Sequence, residues 1–455
     1  MPMTQALALR RQRPGRRSAH PEPWITWGKA ASAVLAVGFA SSGHAVEFGP
    51  NGMFSINGFG EATLTVGNNQ CPPEGCQLSP ETDRQRIWAD AVVPGRKLST
   101  DATGFSQVQL WLGAKYDLGG GFKLKGTLSQ NWRDGKVDTP GFVRERNIAV
   151  SHEDYGTLTA GETVSRTWQF ADFPFGSNLG LSAAWAGTGA GYRNLRRAIR
   201  YTSPVLDVAA GDMVLELTYD RGSRDFKINK PSFYELWAHY GKGDLSIDAM
   251  YQVTRNGSPS AFGAAGFYAP FYDPAGDSRL GGSGQSVALL QAIYQYSPKI
   301  ELSGAVRHNR WTGAYAVVAL DGPPVQFNFP FNVDWGGTLN GVANPGYPAR
   351  STDLALGARY RMEKWTYSTG LVYIGKASTN NPSERGQSNA ALVNTIGATY
   401  NYGNGWEASA FAGMIHYRLK GLSPLGMPSN ATINAIDSRV TKAGNWFGVG
   451  IKYKF

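Results

Sequence analysis

The sequence predicts an all-β chain that closes into a sixteen-stranded antiparallel transmembrane β-barrel. Three observations lead there: an unusual composition, repeated two-residue alternation of apolar and polar side chains, and connections that alternate between short and long. The chain holds 57 glycines among 455 residues, against a usual share of about 7%, and 12% aromatic but only 17% charged residues. So many aromatic side chains exclude a disordered chain. Beyond residue 45 no apolar run reaches the roughly 20 residues that a membrane-spanning helix needs.

Residues 1–45 are predicted to be a signal peptide, which leaves a single mature domain at 46–455. Six basic residues precede a short apolar stretch at 30–40, and Gly43-His44-Ala45 provides a small-x-small cleavage site. Removing 1–45 lowers the formal charge from +10 to +5, because the segment carries those six bases and one acid. The remaining bases are scattered, so no nucleic-acid partner is predicted.

The two cysteines lie close together in Cys71-Pro-Pro-Glu-Gly-Cys76. Since an exported chain meets an oxidising compartment, the spacing favours a small loop disulfide between Cys71 and Cys76. A metal site built on two thiols is the alternative, but no histidine lies near them in the sequence.

Two-residue alternation recurs along the whole mature chain and predicts strands with one apolar and one polar face. One such segment places Val108, Leu110 and Leu112 at every second position. The phase is ambiguous in 142–153 and 406–419, where apolar residues fall on both parities. The sixteen predicted strands are 53–66, 106–117, 121–133, 142–153, 156–166, 193–203, 211–221, 233–241, 244–255, 285–297, 300–312, 351–362, 365–377, 389–402, 406–419 and 443–455.

Tight turns such as 118–121 and 403–405 alternate with long connections such as 67–105, 167–192 and 313–350. That pattern predicts an up-and-down barrel with turns at one rim and loops at the other, and an even strand number suits closure in a membrane. A soluble barrel this wide could not fill its interior with apolar side chains. Aromatic residues near strand ends fit interfacial girdles: Trp365, Tyr367, Tyr400, Tyr402, Trp406 and Tyr453. The alternative is a large soluble β-sandwich or secreted enzyme.

Four segments resemble the general porins of Gram-negative outer membranes. These are Asp117-Leu-Gly-Gly-Gly-Phe-Lys-Leu-Lys-Gly126, Asp154-Tyr-Gly-Thr-Leu-Thr-Ala-Gly161, Arg193-Asn-Leu-Arg-Arg-Ala-Ile-Arg-Tyr-Thr-Ser-Pro204, and the chain end with Tyr453 and Phe455. The first three are similar to successive porin strands, and Tyr453 and Phe455 are similar to the signal that directs barrel assembly. The resemblance implies an outer-membrane porin, a homotrimer, and a third loop folded into the lumen.

The resemblance also implies a function and partners. We expect a water-filled channel for passive diffusion of small hydrophilic solutes and ions, contacting outer-membrane lipid and lipopolysaccharide, with no cofactor. Walker A, HExxH and GxSxG motifs are absent from the sequence. The four mature histidines lack metal-ligand spacing. An enzymatic or surface-binding barrel stays the less favoured alternative.

The third loop departs from the family pattern. Across 167–192 its only acid is Asp172, among Trp168, Phe170, Phe173, Phe175 and Trp185. The aromatics either pack against the inner wall or stack on solutes. The second reading suggests an alternative function, a channel that prefers aromatic or carboxylate compounds.

By the same resemblance, basic side chains on the fourth and sixth strands face the third loop at the constriction. The predicted constriction consists of Arg144, Arg146, Arg193 and Arg196 opposite Asp172, with Glu162 as a second acid. A transverse field across low-dielectric walls sorts solutes by charge, and this balance predicts a mild anion preference. Alternatively, several of these arginines bind lipopolysaccharide phosphates or pair with loop acids at the rim.

Overall fold

The computed structural model describes residues 45–68, 103–133, 136–137, 145–170, 173, 194–222, 232–255, 284–312, 336–339, 342–345, 349–375, 378–379, 390–417 and 443–455. The predicted signal peptide (except Ala45) and the predicted disulfide at Cys71 and Cys76 lie outside these ranges. Within them, no helix has the length and apolar character to cross a membrane.

Sixteen strands form one closed antiparallel sheet. They are β1 Phe54–Asn68, β2 Thr103–Gly119, β3 Phe122–Arg133, β4 Glu145–His152, β5 Gly156–Val164, β6 Asn194–Thr202, β7 Gly211–Asp220, β8 Ser232–Lys242, β9 Leu245–Arg255, β10 Gly284–Gln295, β11 Ile300–Thr312, β12 Ala349–Met362, β13 Trp365–Ile374, β14 Ala391–Gly403, β15 Trp406–Tyr417 and β16 Ala443–Lys454. Each strand pairs with the next, and β16 pairs with β1 to close the barrel. The predicted strand number and order are confirmed, and every strand end falls within three residues of its predicted position.

Six further short strands are found in the described ranges. They are Val46–Phe48, Lys136–Val137, Leu206–Val208, Gly336–Leu339, Val342–Pro345 and Ser378–Thr379. Val46–Phe48 pairs with the start of β1. The pair Gly336–Leu339 and Val342–Pro345 forms a separate hairpin.

The two faces of the wall have opposite character, as strand β7 illustrates. Its Leu215 and Leu217 are 37% and 52% exposed, whereas Glu216 and Thr218 between them are 2% and 0% exposed. Directly paired residues share a face of the sheet. The strand register therefore shows which residues of the neighbouring strands face inward and which face outward. Apolar side chains therefore face outward and polar ones inward, the arrangement of a barrel that stands in lipid and encloses water.

Tight turns gather at one rim, which we call the short-turn rim. It includes the turns at 120–121, 153–155, 243–244, 297–299, 363–364 and 404–405. Asn404 and Gly405 both have positive φ, 51° and 84°, and a Cβ at Gly405 would lie 2.0 Å from the Lys454 carbonyl oxygen. Glycine is thus required there. The predicted aromatic girdle stands just above this rim, where Trp365 packs on Tyr400 with ring centroids 4.9 Å apart.

One irregularity affects the site. Between β5 and β6 the pairing passes from Gly161–Ala198 to Thr163–Leu195. Strand β6 therefore has one more residue than β5 over this interval, which is a β-bulge. Ala198 and Leu195 are both buried although they differ in parity. The bulge thus reverses the inward and outward positions on the N-terminal part of β6.

Candidate functional site

The lumen of the barrel is the candidate site, because its wall carries ionisable side chains from most of its strands. Inward-facing acids of the described strands include Glu61, Glu145, Glu216, Asp220, Glu235, Glu301 and Asp353, all of them buried. Most are held by a basic neighbour or by hydrogen-bond donors. Negative charge on the wall is therefore largely neutralised within the wall itself.

The third loop begins inside the barrel. After β5 the chain forms one helical turn, α1 Arg166–Gln169, whose first side chain points into the wall. The Arg166 guanidinium donates through Nε to Oε1 of Glu216 at 2.7 Å, and its backbone N–H donates to Oε1 of Glu235 at 2.9 Å. Arg166 is 6% exposed. The start of the loop is thus tied to β7 and β8 by one side chain and its own peptide group.

A second buried arginine extends this network. Arg200 on β6 lies 3.1 Å from Glu216 and 3.8 Å from Glu235, measured from its nitrogens to their carboxylate oxygens. It also donates to Thr218 Oγ1 at 2.9 Å and to the Val164 carbonyl at 2.8 Å. Two arginines and two glutamates therefore neutralise one another at the base of the loop. A buried pair needs such additional hydrogen bonds to offset its desolvation.

Aromatic side chains cover the same network. The Arg166 guanidinium carbon lies 4.3 Å from the centroid of the Trp237 ring, within cation–π range, and Phe170 lies 6.3 Å from that ring. Phe173 is 6% exposed. These contacts indicate that Phe170 and Phe173, at the start of the third loop, pack against the inner wall and do not form an open stacking surface for solutes.

A histidine–aspartate pair adjoins the tryptophan. His239 Nδ1 lies 2.8 Å from Asp248 Oδ1, which also accepts a hydrogen bond from Trp237 Nε1 at 3.1 Å. Gln291 donates to the other Asp248 oxygen at 3.1 Å. Asp248 therefore links β8, β9 and β10 on the lumen side. This arrangement holds the indole in place beside Arg166.

Strands β11 and β12, four strands further around the wall, carry an ion pair of the same kind. Arg307 on β11 donates through Nε and Nη2 to Asp353 Oδ2 on β12, at 3.1 and 2.8 Å. Asp353 also accepts the backbone N–H of Gly375 at 3.0 Å. This pair joins two neighbouring strands.

Three of the six predicted constriction residues, Arg144, Arg193 and Asp172, lie outside the described residues. The other three lie close to one another, but not at the predicted place in the lumen. Glu162 lies 3.3 Å from Arg146 and 3.7 Å from Arg196. We call these three residues the outer triad.

The outer triad is on the outside of the barrel, so its predicted place in the lumen is wrong. Arg146 pairs directly with Leu128 and shares the outward parity of Ile148 and Val150. The β-bulge reverses the parity of β6, so Arg196 does not share the inward face of Arg200. Side-chain exposures of 69% for Arg146 and 54% for Arg196 agree with this position.

Among the described residues, other charged side chains line the lumen, and only some of them could be predicted from the sequence. Arg166 ends the fifth predicted strand and Arg200 lies on the sixth. Glu216 and Glu235 were not singled out, although both stand on the polar parity of their strands. An acid on the polar parity of a wide barrel strand is the signal that could have found them.

Comparisons with known proteins agree with this architecture. A family model described as Gram-negative porin matches residues 30–420. Among solved structures, the chain is similar to an anion-selective porin from Comamonas acidovorans, with 12% identity over 88% of this chain and 99% of that one, at a TM-score of 0.53. OmpF of Salmonella typhi in complex with daunomycin shows 12% identity over 90% of this chain and 100% of that one, at a TM-score of 0.53.

A third similar structure is the trimer form of OmpT from Vibrio cholerae, with 13% identity over 88% of this chain and 99% of that one, at a TM-score of 0.51. At these identities the likeness concerns the fold. A search of curated proteins finds no significant match.

Proposed function

The chain belongs to the Gram-negative porin family, and from that premise we propose that its outer-membrane channel passes small anions somewhat more readily than cations. The family and the closed barrel make the chain a channel for passive diffusion of small hydrophilic solutes in the outer membrane. The proposal concerns the selectivity of that channel.

The proposal is supported by a difference between the inward acids and the inward lysines: the acids are held by partners, whereas two lysines are accessible. The acids Glu216, Glu235 and Asp353 are each at most 2% exposed and are held by arginines or other donors. By contrast, Lys123 is exposed and Lys125 is half-buried on the lumen side. A mobile anion in the lumen therefore meets accessible positive charge, while most negative charge is compensated. At about 8 Å and an effective dielectric near 20, one such charge contributes about 2 kcal/mol before screening.

The experiment is the zero-current potential of the reconstituted protein across a tenfold KCl gradient. Its sign is expected to indicate chloride as the more permeant ion. A clearly cation-selective channel would refute the proposed preference. The channel function itself would survive that result, because it is measured independently by the current.

We propose further that the channel is a homotrimer, contacting lipid and lipopolysaccharide elsewhere on its outer surface. The outer triad supports this assembly. Glu162 stands six residues beyond Gly156, which places it about 15 Å above the short-turn rim of a tilted strand, inside an apolar band about 25 Å tall. An arginine exposed to lipid near the midplane costs about 2–4 kcal/mol. Cover by a neighbouring subunit removes that cost.

Two other functions are less well supported. A channel that prefers aromatic compounds would need open aromatic faces in the lumen. Of the third-loop aromatics that the structure describes, Phe173 is buried and Phe170 packs near Trp237. Family membership favours a channel over an enzymatic or surface-binding barrel. Liposome swelling with neutral sugars and with aromatic acids compares the first alternative with general diffusion.

A further inference from the structure

Three lysines stand together on the inner wall close to the short-turn rim. Lys115 on β2 pairs directly with Lys125 on β3, and Lys123 lies two residues further toward the turn. All three belong to the inward parity, which they share with the buried Trp111 and Ser129. Direct partners have Cβ atoms about 4.5–5.5 Å apart, and residues two apart along a strand are separated by about 7 Å. The three ammonium groups can therefore converge on one small ligand. We call these three residues the lysine cluster.

Acids near the lysine cluster compensate it only partly. Lys115 Nζ lies 2.7 Å from Glu47 Oε1, in a pair whose side chains are both more than half exposed. Asp117 is the direct partner of Lys123, but its Oδ1 accepts the Gly119 backbone N–H at 2.8 Å. Among the described residues no ion pair to Lys123 or Lys125 is found. Like charges placed directly opposite each other destabilise a sheet. The pairing of Lys115 with Lys125 therefore does not serve the stability of the fold.

The inward surroundings of Lys125 are small and polar. Its partner on β4 is Ala149, which in turn pairs with Thr159 on β5. Thr127, the next inward residue on β3, pairs with Gly113 on one side and with Asn147 on the other. Among its described strand neighbours, no bulky side chain stands directly beside Lys125 on its inward face, apart from the other lysines. Hydroxyl and amide groups that can donate hydrogen bonds surround it instead.

We propose that the lysine cluster binds small dianionic oxyanions, inorganic phosphate being the simplest, at the end of the lumen that opens at the short-turn rim. This inference rests on the proposed function, since it requires a water-filled channel through which the anion reaches the wall. Ammonium groups bind phosphate as point charges, and charge-assisted hydrogen bonds are stronger than neutral ones. A dianion with several acceptor oxygens contacts two or three lysines at once, whereas chloride meets them singly. The cluster therefore distinguishes phosphate from chloride.

The test is a titration of inorganic phosphate into planar bilayers that hold single channels in KCl at constant ionic strength. Wild-type current is expected to fall reversibly and to saturate with phosphate. The half-blocking concentration is expected to be lower when phosphate is added on the side of the short-turn rim. This dependence on side needs no mutation, so it tests the inference even if a variant fails to fold.

The variant is Lys123→Gln with Lys125→Gln. Its matched control is Lys299→Gln with Lys364→Gln, which removes two exposed lysines from turns of the same rim. The half-blocking concentration is expected to rise about tenfold in the first variant, as charge-assisted contacts are lost, and to change little in the control.

Equal shifts in both variants would show that only general surface charge matters, and would overturn the inference. So would an unsaturable response to phosphate, or one that is the same from both sides. A normal KCl current without any response to phosphate refutes the phosphate site alone. If wild type gives no current, the proposed channel function fails as well.

Discussion

Arg166 and Glu216 join the start of the third loop to the barrel wall: the guanidinium Nε donates to the carboxylate Oε1 at 2.7 Å, and both side chains are almost fully buried. The same arginine anchors the loop by its backbone N–H, which donates to Glu235. Since the helical turn that follows has only four residues, it cannot hold itself in place without its neighbours. This ion pair therefore fixes where the loop enters the lumen.

Replacing Arg166 by Ala is expected to release the loop from the wall. The change removes one of the two arginines at Glu216, and breaking a buried pair costs about 3–5 kcal/mol. We expect a larger and noisier single-channel current together with a lower temperature of barrel unfolding. Planar-bilayer recording and heat-induced mobility shift on gels provide the two measurements.

Arg307→Ala is the matched control, because Arg307 forms an equally buried pair with Asp353 on β11 and β12, whereas α1 is tied to β7 and β8. It should lower the unfolding temperature by a similar amount while the current stays quiet. An unchanged current in Arg166→Ala, or equal noise in both variants, would contradict the role assigned to Arg166.

Strand number, order and faces could be predicted from the sequence because alternation is a local property. In β7, Glu216 and Thr218, which alternate with Leu215 and Leu217, already indicate which side faces the lumen. A bulge is not visible in this way, and one extra residue in β6 was enough to misplace Arg196. Arg146 was misplaced because apolar residues fall on both parities of its strand.

Long-range partners could not be predicted either. Arg166 meets Glu216 and Glu235, which lie 50 and 69 residues away in the chain. Which acid faces a given arginine depends on strand register and barrel shear, and these are set by the whole closed sheet. The sequence indicated polar lumen positions but not their pairing.

The outer triad provides a test of assembly. Replacing Arg146, Glu162 and Arg196 together by Leu removes every charge of the triad from an otherwise apolar outer face. If a neighbouring subunit covers this face and contacts the triad, the variant should lose heat-resistant trimers. If lipid covers it, the variant should be at least as stable as wild type, since three side chains become lipid-compatible. Unheated gel electrophoresis and cross-linking distinguish these outcomes.

The control for the triad is Leu356→Ala on β12, six to eight strands from the triad and hence on the far side of the barrel. Leu356 is 58% exposed and faces outward. Its replacement should leave the trimer intact. Trimer loss in this control would mean that general destabilisation, not the triad, explains the result.

The cysteine pair is tested by counting thiols. Protein purified without reductant and with a thiol-blocking reagent should contain no free thiol if Cys71 and Cys76 are joined. Two blocked thiols per chain would refute the disulfide. Replacing both by Ser should leave the conductance unchanged and lower stability by about 2 kcal/mol or less, because the closed loop is short.

The last residue of the chain both closes the barrel and carries the predicted assembly signal. Phe455 donates its backbone N–H to the Gly58 carbonyl at 3.1 Å and accepts the Gly58 N–H at 2.9 Å. Its ring stacks on Tyr453 with centroids 5.8 Å apart, and a Cβ at Gly58 would come within 3.1 Å of it. The backbone contacts and the ring are therefore separable contributions.

Deleting Phe455 removes both contributions, whereas Phe455→Ala keeps the two backbone hydrogen bonds and removes the ring. If the aromatic ring is the assembly signal, both variants should reach the outer membrane poorly, and Phe455→Trp should restore assembly. If closure of β16 on β1 is what matters, only the deletion should fail, because each backbone hydrogen bond contributes about 1 kcal/mol. The measurement is the amount of heat-resistant protein in outer-membrane fractions. Normal amounts of the deletion variant would contradict both roles of Phe455.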